Sequence, residues 1–459
     1  MDIEEKTFDD TVEEIIELLE NRQYRSAREE ILKNNGVDAA EILEEIIEEL
    51  GIKIAIVIFR MLPKDMSVEV FSYLTIDDQK DIINGITDVE LSYIIDELDF
   101  DDKIDVLEEL PANIVDKILE KSTKAERKLI NTFLNYPDDC AGSLMTPEYI
   151  SLQGSMTVRE ALKHIKNEGM DSETVYTCYV KSGGRKLEGI VSLRTLVISD
   201  DDALISDLMH TDFVDVNVYD DQEEVSDAFM KYGFLAIPVV DNEGRLVGIV
   251  TVDDIMDVIE EEATEDIERM AGVLSDDDDR EYLDISVWGH IKSRIMWLTL
   301  MMFTAMITGG ILGAFEDMLT PTLVCYIPLL MGTSGNAGNQ AATLVTRGIA
   351  VGDLDTDDVF KILWKEFRIS IGICLVLASI NFIKVLVIDR VDITTAVIIN
   401  LSLVIIVIIA KMLGGLIPMA AKKLGIDPAL VANPLLTSLS DMISVVTYFA
   451  IASLMLTNV

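Results

Sequence analysis

The first third of the chain repeats an apolar pattern every 12 residues. After an amphipathic acidic stretch over residues 1–50, leucine or isoleucine returns at each twelfth position, at Leu50, Leu62, Leu74, Ile86, Leu98 and Leu110. Twelve residues suffice for a short helix and a turn, so this period predicts stacked helices that bury one apolar face. We therefore predict an all-α superhelical domain over residues 1–135. Its turns carry helix-capping signals at Thr75-x-x-Asp78 and Thr87-x-x-Glu90.

A second pattern occurs twice, in residues 138–200 and again in residues 201–258. LMTPEYISLQGSMTVREAL parallels LMHTDFVDVNVYDDQEEVSDAF, and YTCYVKSGGRKLEGIVSLRTLVIS parallels LAIPVVDNEGRLVGIVTVDDIMDV. Each copy predicts strand, helix, strand, turn, strand and helix, with Gly-containing hairpin turns near Gly183 and Gly244. The two copies therefore predict a tandem pair of α+β domains over residues 138–258.

One acidic helix is predicted from Asp253 to about Leu274, within a connecting segment over residues 259–285. Like charges four residues apart destabilise an isolated helix, so a bound counter-ion is favoured over a merely solvated face. The run of aspartates at 276–279 predicts a hinge before the membrane. The acids that share one face of this helix are Asp254, Asp257, Glu261, Glu265 and Glu268.

The remaining residues, 286–459, predict an α-helical transmembrane domain with five spans. Long apolar runs of this length suit a hydrocarbon core of about 30 Å. Basic residues cluster in the loops on the side of the acidic half, which predicts a cytoplasmic N-terminus and an extracellular C-terminus. For Lys411, inside the fourth span, we predict a side chain that extends toward the cytoplasmic face. The spans are expected at about 290–315, 322–346, 365–388, 393–421 and 429–456.

The fifth span carries a carboxylate at its midpoint. Asp441 is the only ionisable residue in this span, and no Lys or Arg follows Lys423. A charged group at the bilayer centre costs about 2.5–3.5 kcal/mol, and intramembrane acids usually mark ion or substrate paths. Hydroxyl and amide groups often join membrane helices, but that role does not account for an acid. We predict a cation site at Asp441. The polar residues at helical spacing are Asn433, Thr437, Ser440, Asp441, Ser444 and Tyr448.

The second span combines helix-weakening residues with amides. Pro328, Gly332, Gly335 and Gly338 lie within PLLMGTSGNAGNQ. Broken backbone at membrane depth is tolerated where it is buried in protein or lines a cavity, and it frees the carbonyl oxygens that Mg2+ and Ca2+ prefer. The alternative is close helix packing through small residues. We predict a broken helix that contributes oxygen ligands.

Composition divides the chain into two chemically different parts. The net charge is −45, of which −43 lies in residues 1–280 and −2 in residues 281–459. An acidic surface disfavours nucleic acid and anionic lipid, and it favours hard divalent cations. With 49% hydrophobic residues and a mean hydropathy of +0.30, the chain is too apolar to be soluble throughout. We predict a multi-domain membrane protein with divalent cations as partners.

Motif searches narrow the class of protein further. The four cysteines form no CxxC pattern and no HExxH zinc motif occurs, so we expect reduced structural cysteines and no enzyme activity. The N-terminus, MDIEEKTFDD, lacks the basic and apolar regions of a cleaved signal. We therefore expect the acidic domains in the cytoplasm and the spans in the plasma membrane, in contact with lipid.

The tandem α+β copies resemble a pair of CBS domains. Such pairs bind adenosine compounds or gate an attached domain, which implies an adenine nucleotide as a possible cofactor. The Thr/Ser-x-x-Asp element that holds ribose and phosphate is present in the second copy as Thr251 to Asp254. The first copy has Ser192 to Thr195 without the acid.

The order of acidic array, CBS pair, acidic connecting helix and five spans resembles the MgtE family of magnesium channels and transporters. GTSGNAGNQAATL in the second span and DPALVANPLLTSLSD at the start of the fifth are similar to signatures of that family. The resemblance covers essentially the whole chain. It implies a homodimeric Mg2+-selective channel for magnesium uptake, in which the connecting helix is a plug and cytosolic Mg2+ closes the pore.

The resemblance also implies roles for individual residues. Asp441 would be the central pore acid, with Asn336 and Asn433 in the same cavity. Glu316 would lie near the external mouth and Asp427 at the cytoplasmic mouth. Gly233 stands where the family carries an acid, so one regulatory site is expected to differ. The positions that match cytosolic regulatory Mg2+ ligands are Glu69, Asp101, Asp105, Asp254, Asp257, Glu262, Glu265 and Asp266.

Three functions remain open from the residues alone. The leading hypothesis is a Mg2+ channel closed by cytosolic Mg2+. The second is a pore-less CBS-domain scaffold or signalling protein anchored in the membrane, which would need neither Asp441 nor a broken second span. The third is a secondary transporter of Mg2+ or another divalent ion, because oxygen ligands suit Mn2+, Co2+ and Ca2+ as well.

Overall fold

The computed structural model describes residues 7–170, 172–274, 282–283, 285–315 and 320–456. The chain separates into two compact units, Met1–Val258 and Ile259–Val459. The predicted hinge at 276–279 and Glu316 lie outside the described residues, as do the side chains of residues 109, 113 and 431–433.

The first unit begins with a stack of short helices that follows the 12-residue period. From α4 onward, helices begin at residues 52, 64, 76, 88, 100, 112 and 124, each 12 residues after the last. Consecutive helices pack in the pairs α1 with α2 and α3 with α4, and next-but-one helices pack in the pairs α3 with α5, α4 with α6, α5 with α7 and α6 with α8. The predicted array is confirmed. Its helices are α1 (Phe8–Glu20), α2 (Tyr24–Ile31), α3 (Gly36–Leu50), α4 (Ile52–Phe59), α5 (Lys64–Ser72), α6 (Ile76–Gly85), α7 (Asp88–Glu97), α8 (Phe100–Glu109), α9 (Ala112–Lys121) and α10 (Lys124–Phe133).

The helix starts in this array use the predicted caps. The Thr87 side chain accepts a hydrogen bond from the Glu90 amide at 3.3 Å, and the Glu90 carboxylate accepts from the Thr87 amide at 2.8 Å. Thr75 accepts from the Asp78 amide in the same way. A cap of this kind stabilises a helix by about 1 kcal/mol, so each turn ends one helix and fixes the start of the next.

The two α+β copies have the same topology. In each, the first strand pairs parallel with the second and the second pairs antiparallel with the third, in the order β1-β2-β3 and β4-β5-β6. The predicted pair of similar folds is confirmed. The elements are α11 (Ala141–Leu144), β1 (Tyr149–Leu152), α12 (Val158–Glu168), β2 (Thr174–Lys181), β3 (Leu187–Ser192), α13 (Leu193–Ile198), α14 (Ile205–Leu208), β4 (Val216–Asn217), α15 (Gln222–Tyr232), β5 (Ala236–Val240) and β6 (Leu246–Thr251).

A chain of aromatic rings connects the array to the second copy within the first unit. The rings of Phe100 on α8 and Phe133 on α10 meet edge to face at 4.7 Å. Phe133 contacts Tyr136 at 5.9 Å, and Tyr136 contacts Tyr219 at 6.1 Å. Such pairs contribute beyond their buried area, so they hold α8 in a fixed position relative to the second copy.

Helix α16 (Val252–Ala271) is the predicted acidic helix, and it ends three residues before Leu274. The second unit continues with the membrane helices. Four described helices are long and apolar enough to cross a membrane by length and composition, over Val287–Ala314, Thr356–Ile388, Ile393–Lys423 and Pro434–Leu456. The elements are α17 (Val287–Ala314), α18 (Pro321–Val324), α19 (Ile327–Ala350), a 3-10 turn (Thr356–Asp358), α20 (Val359–Ile383), a π-helical turn (Lys384–Ile388), α21 (Ile393–Lys423) and α22 (Pro428–Leu456).

The prediction of a broken second span is wrong, because α19 is continuous for 24 residues. Pro328 lies in the first turn, where a missing amide hydrogen costs nothing. The glycines serve close packing instead. A Cβ atom built at Gly338 would lie 3.3 Å from the Ala410 carbonyl oxygen, and one at Gly414 would collide with the Gly338 carbonyl oxygen. Small residues thus let α19 and α21 touch along their backbones.

Candidate ion pathway and acidic clusters

The polar residues of α22 fall into two groups: most contact neighbouring helices, whereas Asp441 does not have such a polar contact in the described residues. Ser440, Ser444 and Tyr448 are buried, and the Tyr448 hydroxyl donates to the Leu323 carbonyl oxygen at 3.1 Å. These three of the polar residues predicted at helical spacing therefore serve helix packing. Thr437 pairs with Asn339 of α19, whose amide donates to the Thr437 hydroxyl at 3.2 Å.

Asp441 is half-buried near the middle of α22. Among the described residues, no hydrogen bond or ion pair to its carboxylate is found. A carboxylate in a water-poor setting is costly unless a cation or donor accompanies it. In the described part of the chain, Asp441 is therefore a carboxylate at span depth without a hydrogen-bond or ion-pair partner, which makes it a candidate cation ligand.

Helices α19 and α21 border a cavity of about 640 Å³. Its wall carries the amides of Asn336, Asn339 and Gln340 together with the ammonium-bearing side chain of Lys411. The remaining lining residues are Thr343 and Leu344. Asn336 thus lines this open groove, but Asp441, which was predicted to share a cavity with Asn336, does not line it.

A salt bridge connects the C-terminal part of α16 to the start of α22. The Arg269 guanidinium lies 2.9 Å from the Asp427 carboxylate and also contacts Glu265. Burial raises the pKa of Asp266, and the nearby carboxylate of Asp427 raises it further. Asp427 also accepts a hydrogen bond from the Ala429 amide at 2.7 Å. Three predicted acids, Asp427, Glu265 and Asp266, therefore meet around one arginine.

A cluster of carboxylates lies in the first unit where α8 approaches the two copies. One oxygen from each of Asp99, Glu148 and Glu173 lies within 4.8 Å of the others, the only such group of three potential ligands in the described residues. The three come from the start of α8, the approach to β1 and the approach to β2. Hard divalent cations prefer sets of carboxylate oxygens, so this geometry suits such an ion.

Burial and mutual repulsion raise the pKa of several acids of this region. Burial raises the pKa of Asp101 to about 9, with Asp254 and Glu173 contributing. Burial, Asp99 and the aspartates of α16 raise the pKa of Glu173 to about 7, and burial together with Asp99 raises that of Asp102 to about 6. A cation among these groups would replace protons.

Comparison with known proteins identifies the chain. The family model of MgtE divalent cation transporters matches residues 327–451, that of the MgtE intracellular N domain matches 37–139, and CBS domain models match 141–200 and 205–261. The magnesium transporter MgtE of Thermus thermophilus is 36% identical over 95% of this chain and 99% of its own length. This chain belongs to the MgtE family.

Other MgtE proteins extend the comparison. The magnesium transporter MgtE of Bacillus subtilis is 31% identical over 98% of both chains. A solved cytosolic domain of the Mg2+ channel MgtE in complex with ATP covers 54% of this chain and 99% of its own, with 33% identity and a TM-score of 0.50. A solved soluble part of a magnesium transporter covers 56% of this chain and all of its own, with 32% identity and the same TM-score.

The structure brings some of the residues assigned from the MgtE resemblance together and leaves others apart. Asp101 and Asp254 interact electrostatically, as do Asp254 and Asp257. Glu69 instead packs over Gly36 inside the array. The side chains of Glu316 and Asn433 lie outside the described residues. The remaining assigned residues, Asp105 and Glu262, lie on α8 and α16.

Gly233 has a structural reason for being glycine. It ends α15 with φ +66 and ψ +40, a left-handed conformation that favours glycine after a helix. Glu148 and Glu173 escaped the sequence analysis because each stands outside any run of acids. The only available signal was their position just before predicted strands on the same sheet edge.

Proton and metal binding should compete in the first unit of this MgtE protein. The folded-state pKa values of Asp101 and Glu173 lie above those of an unfolded chain, so the folded form holds more protons between about pH 4 and 9 and loses stability as the pH rises. Mg2+ requires the ionised groups. We expect its half-saturating concentration to rise at least tenfold from pH 8.5 to 6.0. Calorimetry in two buffers should register proton release at pH 7, and a pH-independent affinity would contradict this coupling.

Proposed function

We propose that this MgtE protein is a channel that carries Mg2+ across the plasma membrane and closes when cytosolic Mg2+ binds its acidic domains. The half-buried Asp441 carboxylate is the observation that carries the proposal, since no partner for it is found in the described residues. The relatives named magnesium transporters support Mg2+ as the cargo. In this proposal Asp441 attracts the ion, and Asn336 and Asn433 hydrogen-bond its water shell.

Hydrated Mg2+ suits an amide-lined route. Mg2+ loses its waters reluctantly, and the oxygen atoms of amides accept hydrogen bonds from those waters. The cavity beside α19 offers Asn336, Asn339 and Gln340 for this purpose. Asp427 would collect ions at the cytoplasmic mouth and Glu316 at the external mouth.

Electrostatic repulsion supplies the gating energy in this proposal. Two unit charges about 8 Å apart at an effective dielectric of ~20 repel by about 2 kcal/mol. Moving a two-state gate from 1:99 to 99:1 requires about 5.5 kcal/mol. Roughly three bridged acid pairs acting together suffice. The carboxylates around Asp101 and Glu173 would bind the closing Mg2+, and Asp105, Asp257 and Glu69 would add to the same negative field.

The connecting helix would transmit closure to the membrane domain. Glu262, Glu265 and Asp266 lie on the part of α16 that reaches Asp427 through Arg269. Mg2+ at these acids would hold α16 at the cytoplasmic mouth. The basic loops support a cytoplasmic side for α16 and an extracellular C-terminus.

Recording from purified protein in a planar bilayer tests this function. With Mg2+ as the only permeant cation, a channel gives discrete current steps, whereas a carrier gives flux without them. Raising the Mg2+ concentration on the side of the acidic domains should reduce the open probability. Replacing Mg2+ by Mn2+, Co2+ or Ca2+ as the permeant ion measures the selectivity. Absence of both current and flux from folded protein would leave the pore-less CBS scaffold as the function.

The membrane surface of one subunit supports a homodimer. Asn336, Gln340 and Thr343 are exposed on one side of α19, and amides are not left facing hydrocarbon. A second copy related by a twofold axis would cover them, since this is the commonest symmetry for homo-oligomers. Two Asp441 residues would then face one another across the shared axis.

Cysteine crosslinking tests this dimer. In a background with the exposed Cys325 replaced by Ser, a cysteine at Thr343 or Leu344 should form disulfide-linked dimers in lipid within minutes of oxidation. A cysteine at Leu375, which is 70% exposed on α20, is the matched control and should remain monomeric. A monomeric mass in mild detergent together with no crosslink at either position would contradict the dimer.

An adenine nucleotide is a second proposed ligand, for the CBS pair. The Thr251 hydroxyl donates to the Asp254 carboxylate at 2.5 Å at the junction of β6 and α16, where the ribose-binding element of such domains lies. The relative whose cytosolic domain was solved with ATP supports this ligand. Equilibrium binding of ATP to the Thr251→Val variant, compared with the unaltered protein, tests it.

A further inference from the structure

A buried ion pair lies between α20 and α21 within the membrane domain. The Lys411 Nζ atom lies 3.6 Å from the Glu366 Oε2 atom, and the two side chains are only 4% and 9% exposed. The Lys411 side chain thus ends at a carboxylate inside the protein and does not reach the membrane surface. A carboxylate on the neighbouring helix holds the ammonium in place, so no route to the membrane surface is needed.

Two glycines of α21 lie close to this pair. A Cβ atom built at Gly415 would lie 3.6 Å from the Glu366 Cγ atom, an ordinary van der Waals distance, so the glutamate packs beside Gly415. Gly415 follows Lys411 by four residues and lies on the same side of α21. The neighbouring Gly414 contacts the backbone of α19. Three helices thus meet at this one level.

The two charges form a buried ion pair whose separation is too long for a hydrogen bond. A charge-assisted N–H···O bond is about 2.7–2.9 Å long, and the Glu366 Oε2 atom has no hydrogen-bond partner in the described residues. Burying two charges costs several kcal/mol per ion, and apolar replacements are often as stable. Stability alone is therefore a weak reason for this pair.

The two charges differ in their position relative to the cavity. Lys411 lines the cavity with Asn336, Asn339 and Gln340, and Glu366 does not. Lys411 is thus the one charged residue among the lining residues, beside three neutral amides, Thr343 and Leu344. A positive wall opposes the entry of cations and counteracts the attraction of nearby carboxylates.

We propose that Lys411, held by Glu366, is a fixed positive charge that limits how tightly the amide cavity retains Mg2+. This inference rests on the proposed Mg2+ conduction and adds a residue that tunes it. An ion path must bind its ion tightly enough for entry and weakly enough for exit. Lys411 weakens the binding enough for the ion to leave, so removal of its charge should trap the ion and slow its release.

The expected size of the effect follows from Coulomb's law. A unit charge about 10 Å from a divalent ion, at an effective dielectric between ~20 and ~40, changes occupancy by at least tenfold. Glu366→Gln leaves the ammonium unopposed and should raise the Mg2+ concentration for half-maximal current at least tenfold. Exchanging the two residues, Glu366→Lys with Lys411→Glu, retains the pair and places a carboxylate on the cavity. This exchange should lower that concentration at least tenfold and reduce the maximal current.

The test is a series of single-channel recordings on the full-length protein. The variants are Glu366→Gln, the charge exchange and the neutral double variant Glu366→Gln with Lys411→Met. The neutral double variant should lower the half-maximal Mg2+ concentration less than the exchange does. Lys361→Met is the matched control, because it breaks a 2.6 Å pair with Asp358 at an 83% exposed lysine outside the cavity. It should leave the current unchanged.

The outcomes separate this inference from the function on which it rests. If the unaltered protein conducts Mg2+ and all folded variants share its half-maximal concentration, the pair is structural and the inference is wrong. If the unaltered protein does not conduct, the proposed function fails first. Should the charge exchange not fold, the neutral double variant decides, since its amide and thioether side chains need no ionic partner.

Discussion

Replacing Asp441 by Asn should abolish Mg2+ current while the protein still folds. A carboxylate about 5 Å from a divalent ion, at an effective dielectric of ~20, contributes about 6–7 kcal/mol. Even a third of that energy, about 2 kcal/mol, corresponds to roughly thirtyfold in occupancy. Because two subunits would each lose this charge, we expect conduction to fall at least a hundredfold. Planar-bilayer recording and Mg2+ flux into liposomes measure the loss.

A matched variant separates the local effect of Asp441 from a general loss of negative charge. Asp392 caps α21, where its side chain accepts a hydrogen bond from the Thr395 amide at 2.9 Å. Asn is an equally good capping residue, so Asp392→Asn removes a charge without destabilising the helix. This variant should conduct normally. Wild-type current through folded Asp441→Asn protein would exclude Asp441 from the ion path.

Neutralising the carboxylate cluster should remove the response to cytosolic Mg2+. In the triple variant Asp99→Asn, Glu148→Gln and Glu173→Gln, these side chains neither bind the closing ion nor repel one another without it. Open probability should then stay constant over Mg2+ concentrations from about 0.1 to 20 mM. A single substitution removes one ligand only, so it should shift the closing concentration upward by several-fold, on the order of 1 kcal/mol.

The same titration has an internal control in the array. Asp88, in the first turn of α7, carries a comparable charge away from the described cluster. Asp88→Asn should close at the concentration of the unaltered protein. Small-angle scattering should detect Mg2+-dependent compaction of the unaltered cytoplasmic half and none in the triple variant. Closure of the triple variant at the usual Mg2+ concentration would mean that other groups sense the ion.

The fold was predictable where local signals agreed with packing. The 12-residue period and the threonine caps determined the array because each unit buries the same leucine face and begins with the same capping geometry. The α+β copies were predictable from their internal repetition. In contrast, the glycines of α19 were misread, because a glycine reports only that space or an unusual φ is needed. Whether Gly338 breaks a helix or admits α21 depends on Ala410 and Gly414, which lie 72 and 76 positions further along the chain.

The functional residues were predictable only where burial made a residue type improbable. Asp441 was conspicuous because an acid within an apolar span is costly. Lys411 was equally conspicuous, but its partner Glu366 lies in a segment rich in charged residues at the start of the third span, where one more acid carries no signal. Glu148 and Glu173 became visible only when the sheets brought separate loops to one edge. Long-range pairing of this kind is set by topology.

The regular step of the helical array makes its length adjustable in evolution. Each unit contacts its neighbours through the same junctions, so duplication or loss of a whole unit ahead of α8 creates no new type of junction. Units behind α8 are under a different constraint, because the rings of Phe100, Phe133, Tyr136 and Tyr219 fix the distance from α8 to the second copy. The N-terminal part of the domain can therefore gain or lose whole units of 12 residues. The length of the stretch from α8 to α10 is fixed, because a change there would displace the carboxylates at the start of α8 from the cluster.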